Sequence, residues 1–163
     1  MKSYFLNINK KKINKTNLEL YSNFIKKKYK LSFNKNYHKI WQWSVNQPKD
    51  FWRSIWEFTE VKGNLGKVLL KKSSIFYKNK FFPDSKINYA KNLLKKNNTE
   101  IAIIFKSENG YKRVLSWKDL NKNVRQISNW MKINNIKKGD RVAAYLPNIP
   151  ETVTAYISTS VLG

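Results

Sequence analysis

Apolar residues recur along this chain in two rhythms, and the change between them divides it. Near the start, Leu18, Tyr21, Ile25 and Tyr29 fall at three- and four-residue steps, which places them on one face of a helix with Lys26, Lys27, Lys28 and Lys30 mostly off it. Thr16-Asn17-Leu18-Glu19 fits a capping box that opens this helix. Over residues 37–59 the pattern predicts two short helices breaking near Asn46, with Pro48 in the first turn of the second, where its missing N–H costs nothing. Phe51, Trp52, Ile55, Trp56 and Thr59 then form one apolar face, so both Trp52 and Trp56 are expected to be buried rather than offered as a stacking surface. From residue 60 to 86 periodicity fades, Gly63 and Gly66 punctuate the chain, and Phe81-Phe82-Pro83-Asp84 reads as an ordered loop in a connecting region.

From residue 98 the order becomes that of sheet and helix in alternation. Ile101-Ala102-Ile103-Ile104-Phe105 predicts a buried strand. Asn109-Gly110 predicts a hairpin turn, because both central positions need positive φ, and residues 111–115 return as the second strand. Ser116-Trp117-Lys118-Asp119 caps a helix whose apolar positions are Trp117, Leu120, Val124, Ile127 and Met131. Asn134-Asn135 ends it in a left-handed conformation, Lys138-Gly139-Asp140 turns the chain, and residues 141–146 read as the next strand. Asn148 is then expected to cap a last helix, with Pro150 in its first turn, Glu151 near the positive end of the dipole, and Val153, Ile157 and Val161 on its buried side. Strand, helix, strand, helix implies a right-handed crossover, a parallel strand pair and the α/β class. Two such strands are too few for a doubly wound sheet, so the architecture is expected to be incomplete, with an open apolar edge, weakly cooperative unfolding and binding of hydrophobic dye.

Charge changes this picture less than its size suggests. The chain has 163 residues, 33 basic against 10 acidic, for a net +23. The first forty residues hold eleven lysines against one acid, Glu19, and only Arg53, Arg113, Arg125 and Arg141 are arginine. Phosphate readers favour arginine more than this. Lys, Asn, Ile, Phe and Tyr share A/T-rich codons, so base composition accounts for the charge better than a selected nucleic-acid face does. A small basic nucleic-acid-binding protein, using the lysines and the tryptophans, stays as the alternative reading, with nucleic acid an unlikely partner. No cysteine is present, which excludes disulfides, thiolate metal sites and a Cys nucleophile. Met1-Lys2-Ser3-Tyr4-Phe5-Leu6-Asn7-Ile8-Asn9-Lys10 is too short and interrupted in its apolar part for a signal peptide, and no run approaches the roughly 20 apolar residues of a membrane span, so a cytoplasmic chain is expected.

Chemistry-bearing constellations are missing. Gly63, Gly66, Gly110, Gly139 and Gly163 make neither GxGxxG nor GxxxxGK[ST], so phosphate has no visible cradle. The lone histidine, His38, has no second ligand type beside it, and Asp119 and Glu151 are first of all helix caps. No catalytic, cofactor-binding or metal residue is assigned, and no solenoid-type repeat is present.

Three segments nevertheless resemble a known family, in its order and at plausible intervals. They are YHKIWQWSVNQPKDFWRSIWEF from Tyr37, FFPDSKINYAKNLL from Phe81 and KKGDRVAAYLPNIPETVTAYISTSVLG from Lys137. Together they resemble the beginning of the AMP-forming acyl-CoA synthetases over roughly residues 15–163. Asn88-Tyr89-Ala90-Lys91-Asn92-Leu93-Leu94 is closer to the acetoacetate-activating branch than to the acetate-activating one, and Asn148 points the same way. Composition and spacing give a basic N-terminal extension with one helix at 1–36; the resemblance implies the family's N-terminal helical and loop region at 37–97 and the start of the large AMP-binding, adenylate-forming domain at 98–163. It implies an acid–thiol ligase that makes an acyl-adenylate from ATP and then a thioester with coenzyme A, assisted by Mg²⁺. The family's phosphate loop, acyl pocket and catalytic lysine lie beyond these segments. The chain is therefore expected to bind no cofactor and be inactive alone, with the downstream part of the same enzyme as its partner and a small acid as substrate only in the whole enzyme. Only scaffold carries over: Asp140, Arg141, Pro147, Asn148, Pro150 and Glu151.

Overall fold

The computed structural model describes residues 16–33 and 36–163; the reading of Met1–Lys10 as no signal peptide lies outside them. The chain forms two compact units, one comprising the chain up to Val61 with Lys67–Pro83, the other Lys62–Gly66 with Asp84–Gly163.

Among the described residues the first unit holds three α-helices, α1 (Asn17–Tyr29), α2 (Tyr37–Asn46) and α3 (Pro48–Phe58). Thr16 caps α1, accepting from the Glu19 N–H at 3.3 Å, and Asn36 caps α2 in the same way. Gln47 separates α2 from α3, one residue from the expected break, and Pro48 takes the first turn of α3. Tyr21, Ile25, Ile40 and Trp43 form the core, with Phe51, Ile55 and Phe58 of α3 packed against it. The α3 face that enters the core is therefore the one through Phe51, Ser54, Ile55 and Phe58. Ser54 is fully buried, its hydroxyl 2.6 Å from that of Tyr21. This corrects the expectation for Trp52, which is 43% exposed. Trp52 and Trp56 lie on the adjoining stripe, where Phe81 and Phe82 cover them at ring centroid distances of 5.7 and 5.4 Å. Two short strands, β2 (Leu70–Lys71) and β3 (Lys80–Phe81), hold that covering segment in place.

One carboxylate ties α1 to α3. Glu57 accepts the Tyr29 hydroxyl at 2.6 Å and meets Lys28 Nζ at 3.1 Å and Arg53 Nε at 3.3 Å. Burial raises the Glu57 pKa, but the hydrogen bonds from Tyr29 and Lys28 and the charge of Lys28 outweigh it and hold the group below its ordinary value. Burial, then the hydrogen bond to Glu57, drive Tyr29 well above its ordinary value, and burial also raises Tyr21. A raised tyrosine contributes its stability in full below the unfolded-state pKa near 10 and loses it as pH rises beyond, because the unfolded chain ionises first. Stability should therefore fall above about pH 10, and Tyr29→Phe should flatten that decline while lowering stability at neutral pH by about 1.5–3 kcal/mol for the lost bond to a charged acceptor. Urea melts between neutral pH and pH 11 provide the test; parallel curves for wild type and variant would contradict this assignment.

The second unit begins with β1 (Gly63–Asn64), paired antiparallel with β4 (Lys86–Ile87), and a short helix α4 (Tyr89–Leu93). The hairpin of β5 (Ile101–Lys106) and β6 (Lys112–Ser116) follows; in its turn Gly110 has φ 86, whereas Asn109 does not take the positive φ expected of it, because the loop closes from Ser107 to Tyr111 rather than as a two-residue turn. Helix α5 (Trp117–Ile133) starts from a full Ser116/Asp119 capping box, and α6 (Pro150–Leu162) packs along it. Ala90, Leu120, Val124 and Ile157 form the core. Three expectations are corrected. β5 is not buried: Ala102 and Ile103 pack on that core, whereas Ile101 and Ile104 are exposed, because the sheet has two strands and is covered on one side. The segment 141–146 is not a strand, since no other strand lies beside it among the described residues to complete a ladder. In consequence the parallel pair does not form, and the only pairings described are antiparallel. Asn135, at φ 63, does provide the left-handed end beyond α5.

Candidate functional site

Of the scaffold residues carried by the resemblance, Pro147, Asn148, Pro150 and Glu151 stand at the start of α6, whereas Asp140 and Arg141 belong to the turn that follows α5. Gly139, at φ 95, turns the chain after α5, and Asp140 closes that turn: its Oδ2 accepts the Lys137 N–H at 2.7 Å, and its N–H donates to the Lys137 carbonyl at 3.1 Å. Residues 141–148 are all exposed and Pro150 is buried. Asn148 does not cap α6, which corrects the expectation; the cap is Ile149 with no side-chain hydrogen bond. Thr152 fixes the turn instead. Its hydroxyl donates to the Pro147 carbonyl at 2.6 Å while its N–H donates to that of Ile149 at 3.0 Å. Glu151 is where expected, and Arg113 of β6 donates to its Oε1 at 2.6 Å, lowering the Glu151 pKa and raising that of Arg113.

Of the three positions expected on the buried side of α6, Ile157 is buried and Val161 packs against the core, and only Val153 departs. Val153 is 37% exposed, and Pro150, Thr154, Ile157 and Ser158 are buried. Each buried hydroxyl satisfies itself on helix carbonyls: Thr154 donates to Pro150 at 2.9 Å, and Ser158 to Thr154 at 2.7 Å and to Val124 of α5 at 3.3 Å. Small hydroxyl side chains let the helices approach closely with no orphaned donor, a role that polarity alone conceals in a sequence. Asn88 was likewise missed as an anchor. Its carbonyl oxygen caps α4 at the Lys91 N–H, and its amide donates to the carbonyls of Ser160 and Val161 at 2.8 and 3.3 Å, two of the groups that the end of α6 leaves unpaired.

Between the turn and α6 lies a groove of about 490 Å³, lined by Val142, Ala144 and Leu146 on one wall and Tyr156, Thr159 and Leu162 on the other. Its charged lining side chains are Lys137 and Asp140, and the Asp140 carboxylate is already engaged by a backbone amide. No nucleophile and base are paired here. Among the described residues no group of three or more His, Cys, Asp and Glu side chains could hold a metal ion, and His38 stacks on Trp41 instead. Glu57, Glu100, Asp119 and Glu151 each serve an ion pair or a cap. What the groove offers is a mostly apolar wall.

Comparison with known proteins gives this scaffold a context. Residues 37–93 match the family described as acetyl-coenzyme A synthetase N-terminus, and residues 91–163 match the AMP-binding enzyme family. An acetoacetyl-coenzyme A synthetase of Rhizobium meliloti is 34% identical over 128 residues, 78% of this chain and 20% of that protein. An acetoacetyl-CoA synthetase of Xenopus tropicalis is 30% identical over 132 residues, with the same coverage. Among solved structures, acetoacetyl-CoA synthetase from Streptomyces lividans superposes with a TM-score of 0.83 at 23% identity, over 95% of this chain and 24% of that one. The chain therefore spans about a fifth of the length of the curated relatives it matches. The AMP-binding match implies use of ATP and coenzyme A by the family, and these matches lend no support to the nucleic-acid reading. No described helix is long and apolar enough to cross a membrane.

Proposed function

We propose, from the premise that this chain belongs with the AMP-binding enzymes of the acetyl-coenzyme A synthetase type, that it is the N-terminal part of an acid–thiol ligase acting on acetoacetate. The supporting observation is the succession of the two family matches in one uninterrupted order over residues 37–163. The reaction would join acetoacetate to ATP as an acyl-adenylate, releasing pyrophosphate, and then transfer the acyl group to coenzyme A with release of AMP. Mg²⁺ would neutralise phosphate charge in the first step, in the cytoplasm. The residues of this chain contribute none of the reacting groups. Their part is structural: the Thr152-locked turn and the wall formed by residues 141–146 and α6 receive the portion of the enzyme that follows in the relatives, and that portion carries the nucleotide, acyl and thiol sites.

Recombination tests this reading. This chain, fused to the remaining four-fifths of the Rhizobium meliloti enzyme, should give acetoacetate-dependent pyrophosphate release. That remaining portion alone should give none. A fusion that is folded and monodisperse but releases no more pyrophosphate than the portion alone would overturn the proposal.

A further inference from the structure

A hairpin of the first unit carries an apolar tip within a wholly basic stretch. β2 and β3 pair Leu70 with Phe81 and Lys71 with Lys80, and the loop between them holds its own backbone. The Ser73 N–H donates to Asn79 Oδ1 at 2.8 Å, the Ile75 N–H to Ser73 Oγ at 3.2 Å, the Lys78 N–H to the Ile75 carbonyl at 3.0 Å and the Asn79 N–H to that of Phe76 at 3.2 Å. These bonds fold residues Phe76–Lys78 into a single 3₁₀ turn at the apex. The apex is nevertheless displayed to solvent: Phe76 is 89% and Tyr77 79% exposed, with Ile75 exposed beside them. Lys71, Lys72, Lys78 and Lys80 flank it, all exposed and none in an ion pair among the described residues. The sequence holds no acid between Glu60 and Asp84.

Two large rings held in water by an ordered loop forgo the burial that such side chains ordinarily find, and four uncompensated cations flanking them specify an anionic partner. We propose that this hairpin is a peripheral anchor for an anionic bilayer surface, with Phe76, Tyr77 and Ile75 entering the interfacial layer and the four lysines meeting the lipid phosphates. Aromatic rings settle at the headgroup level, where the Tyr77 hydroxyl stays wet while the Phe76 ring is covered. Lysine stems are long enough to keep their ammonium groups at the phosphates while the tip goes deeper. Each signal is weak alone; apolar insertion and a basic patch together make a reversible attachment that needs no membrane-spanning helix. The arrangement suits a bilayer better than a nucleic acid. Single strands are bound along a basic groove with rings on which successive bases stack, whereas here the rings stand together at the apex of a hairpin, with aliphatic Ile75 beside them. This inference is independent of the ligase reading.

Vesicle binding of the full chain tests it. The probes are equimolar phosphatidylserine and phosphatidylcholine vesicles, phosphatidylcholine vesicles, and a single-stranded oligothymidine. Phe76→Ser with Tyr77→Ser keeps every charge, so a purely electrostatic attraction would be unchanged, whereas anchoring predicts about a tenfold weaker association with the anionic vesicles. The chain has no cysteine, so Ser74→Cys gives a unique site for an environment-sensitive fluorophore, with Asn97→Cys as the control in the other unit. A blue shift at position 74 and not at 97, on anionic vesicles and not on phosphatidylcholine alone, is the expected result. Equal binding by the doubly substituted chain, equal shifts at both labels, or a position-74 response to oligothymidine but not to vesicles would each overturn the proposal.

Discussion

Ile157→Ala should destabilise the second unit by about 2–5 kcal/mol, whereas Ile104→Ala, the same chemical change a few residues from the same core, should cost less than about 0.5 kcal/mol. Ile157 is 1% exposed and sits where α6 meets Ala90, Leu120 and Val124, with Leu94, Ala102, Ile103, Trp117 and Val161 around them. Truncation removes its apolar contact and leaves a void that close-packed helices fill only in part. Ile104 is 62% exposed, opposite exposed Val114 on the open side of the hairpin, so its removal returns little surface to water. A domain of this size typically has about 5–15 kcal/mol to lose, so the first change takes a large share of its stability. Urea denaturation of both variants decides the matter, and similar losses for the two would show that α6 is not the wall on which the unit is built. Because Ser158 and Thr154 share that seam, Ser158→Val should also destabilise despite adding apolar volume, since the helices approach closely there.

The chain by itself should give no measurable pyrophosphate release with ATP, Mg²⁺ and acetoacetate, a complete loss relative to the fused enzyme. Phosphoryl and adenylyl chemistry depends on preorganised donors around developing charge. Here Gly110 and Gly139 serve tight turns, each with open space where a Cβ would stand. The carboxylates that could hold Mg²⁺ are separated and committed: Glu57 to Tyr29 and Arg53, Asp119 to Ser116, Asp140 to Lys137, Glu151 to Arg113. Release above a protein-free blank that co-purifies with the chain and survives removal of host synthetases would refute this and place chemistry within these 163 residues.

What the sequence determined by itself is local. Thr16, Asn36 and Ser116 start their helices because a short side-chain oxygen satisfies an amide that the helix cannot, and this depends on three or four neighbouring residues only. Pro48 and Pro150 open α3 and α6, and Gly110 turns the β5–β6 hairpin, for equally local reasons of φ and missing donors. Tyr21 and Ile25, or Leu120, Val124 and Met131, declare their buried side through spacing, because the helix period is fixed by the backbone. The order of the three family-like segments was legible for the same reason: it needs no packing to be read.

Tertiary structure alone decided which of two adjoining apolar stripes α3 buries. Phe51, Ser54, Ile55 and Phe58 face α1 and α2, and Trp52 is left to Phe81, a contact set by a hairpin some thirty residues away. It also decided that Thr154 and Ser158 lie in a core while Val153 does not, because the closeness of α5 rewards small side chains with satisfied hydroxyls over a bulkier apolar one. Residues 141–146 have the composition of a strand but do not form one here. Strand formation is a property of a pair, and a ladder needs a partner that a single segment cannot specify.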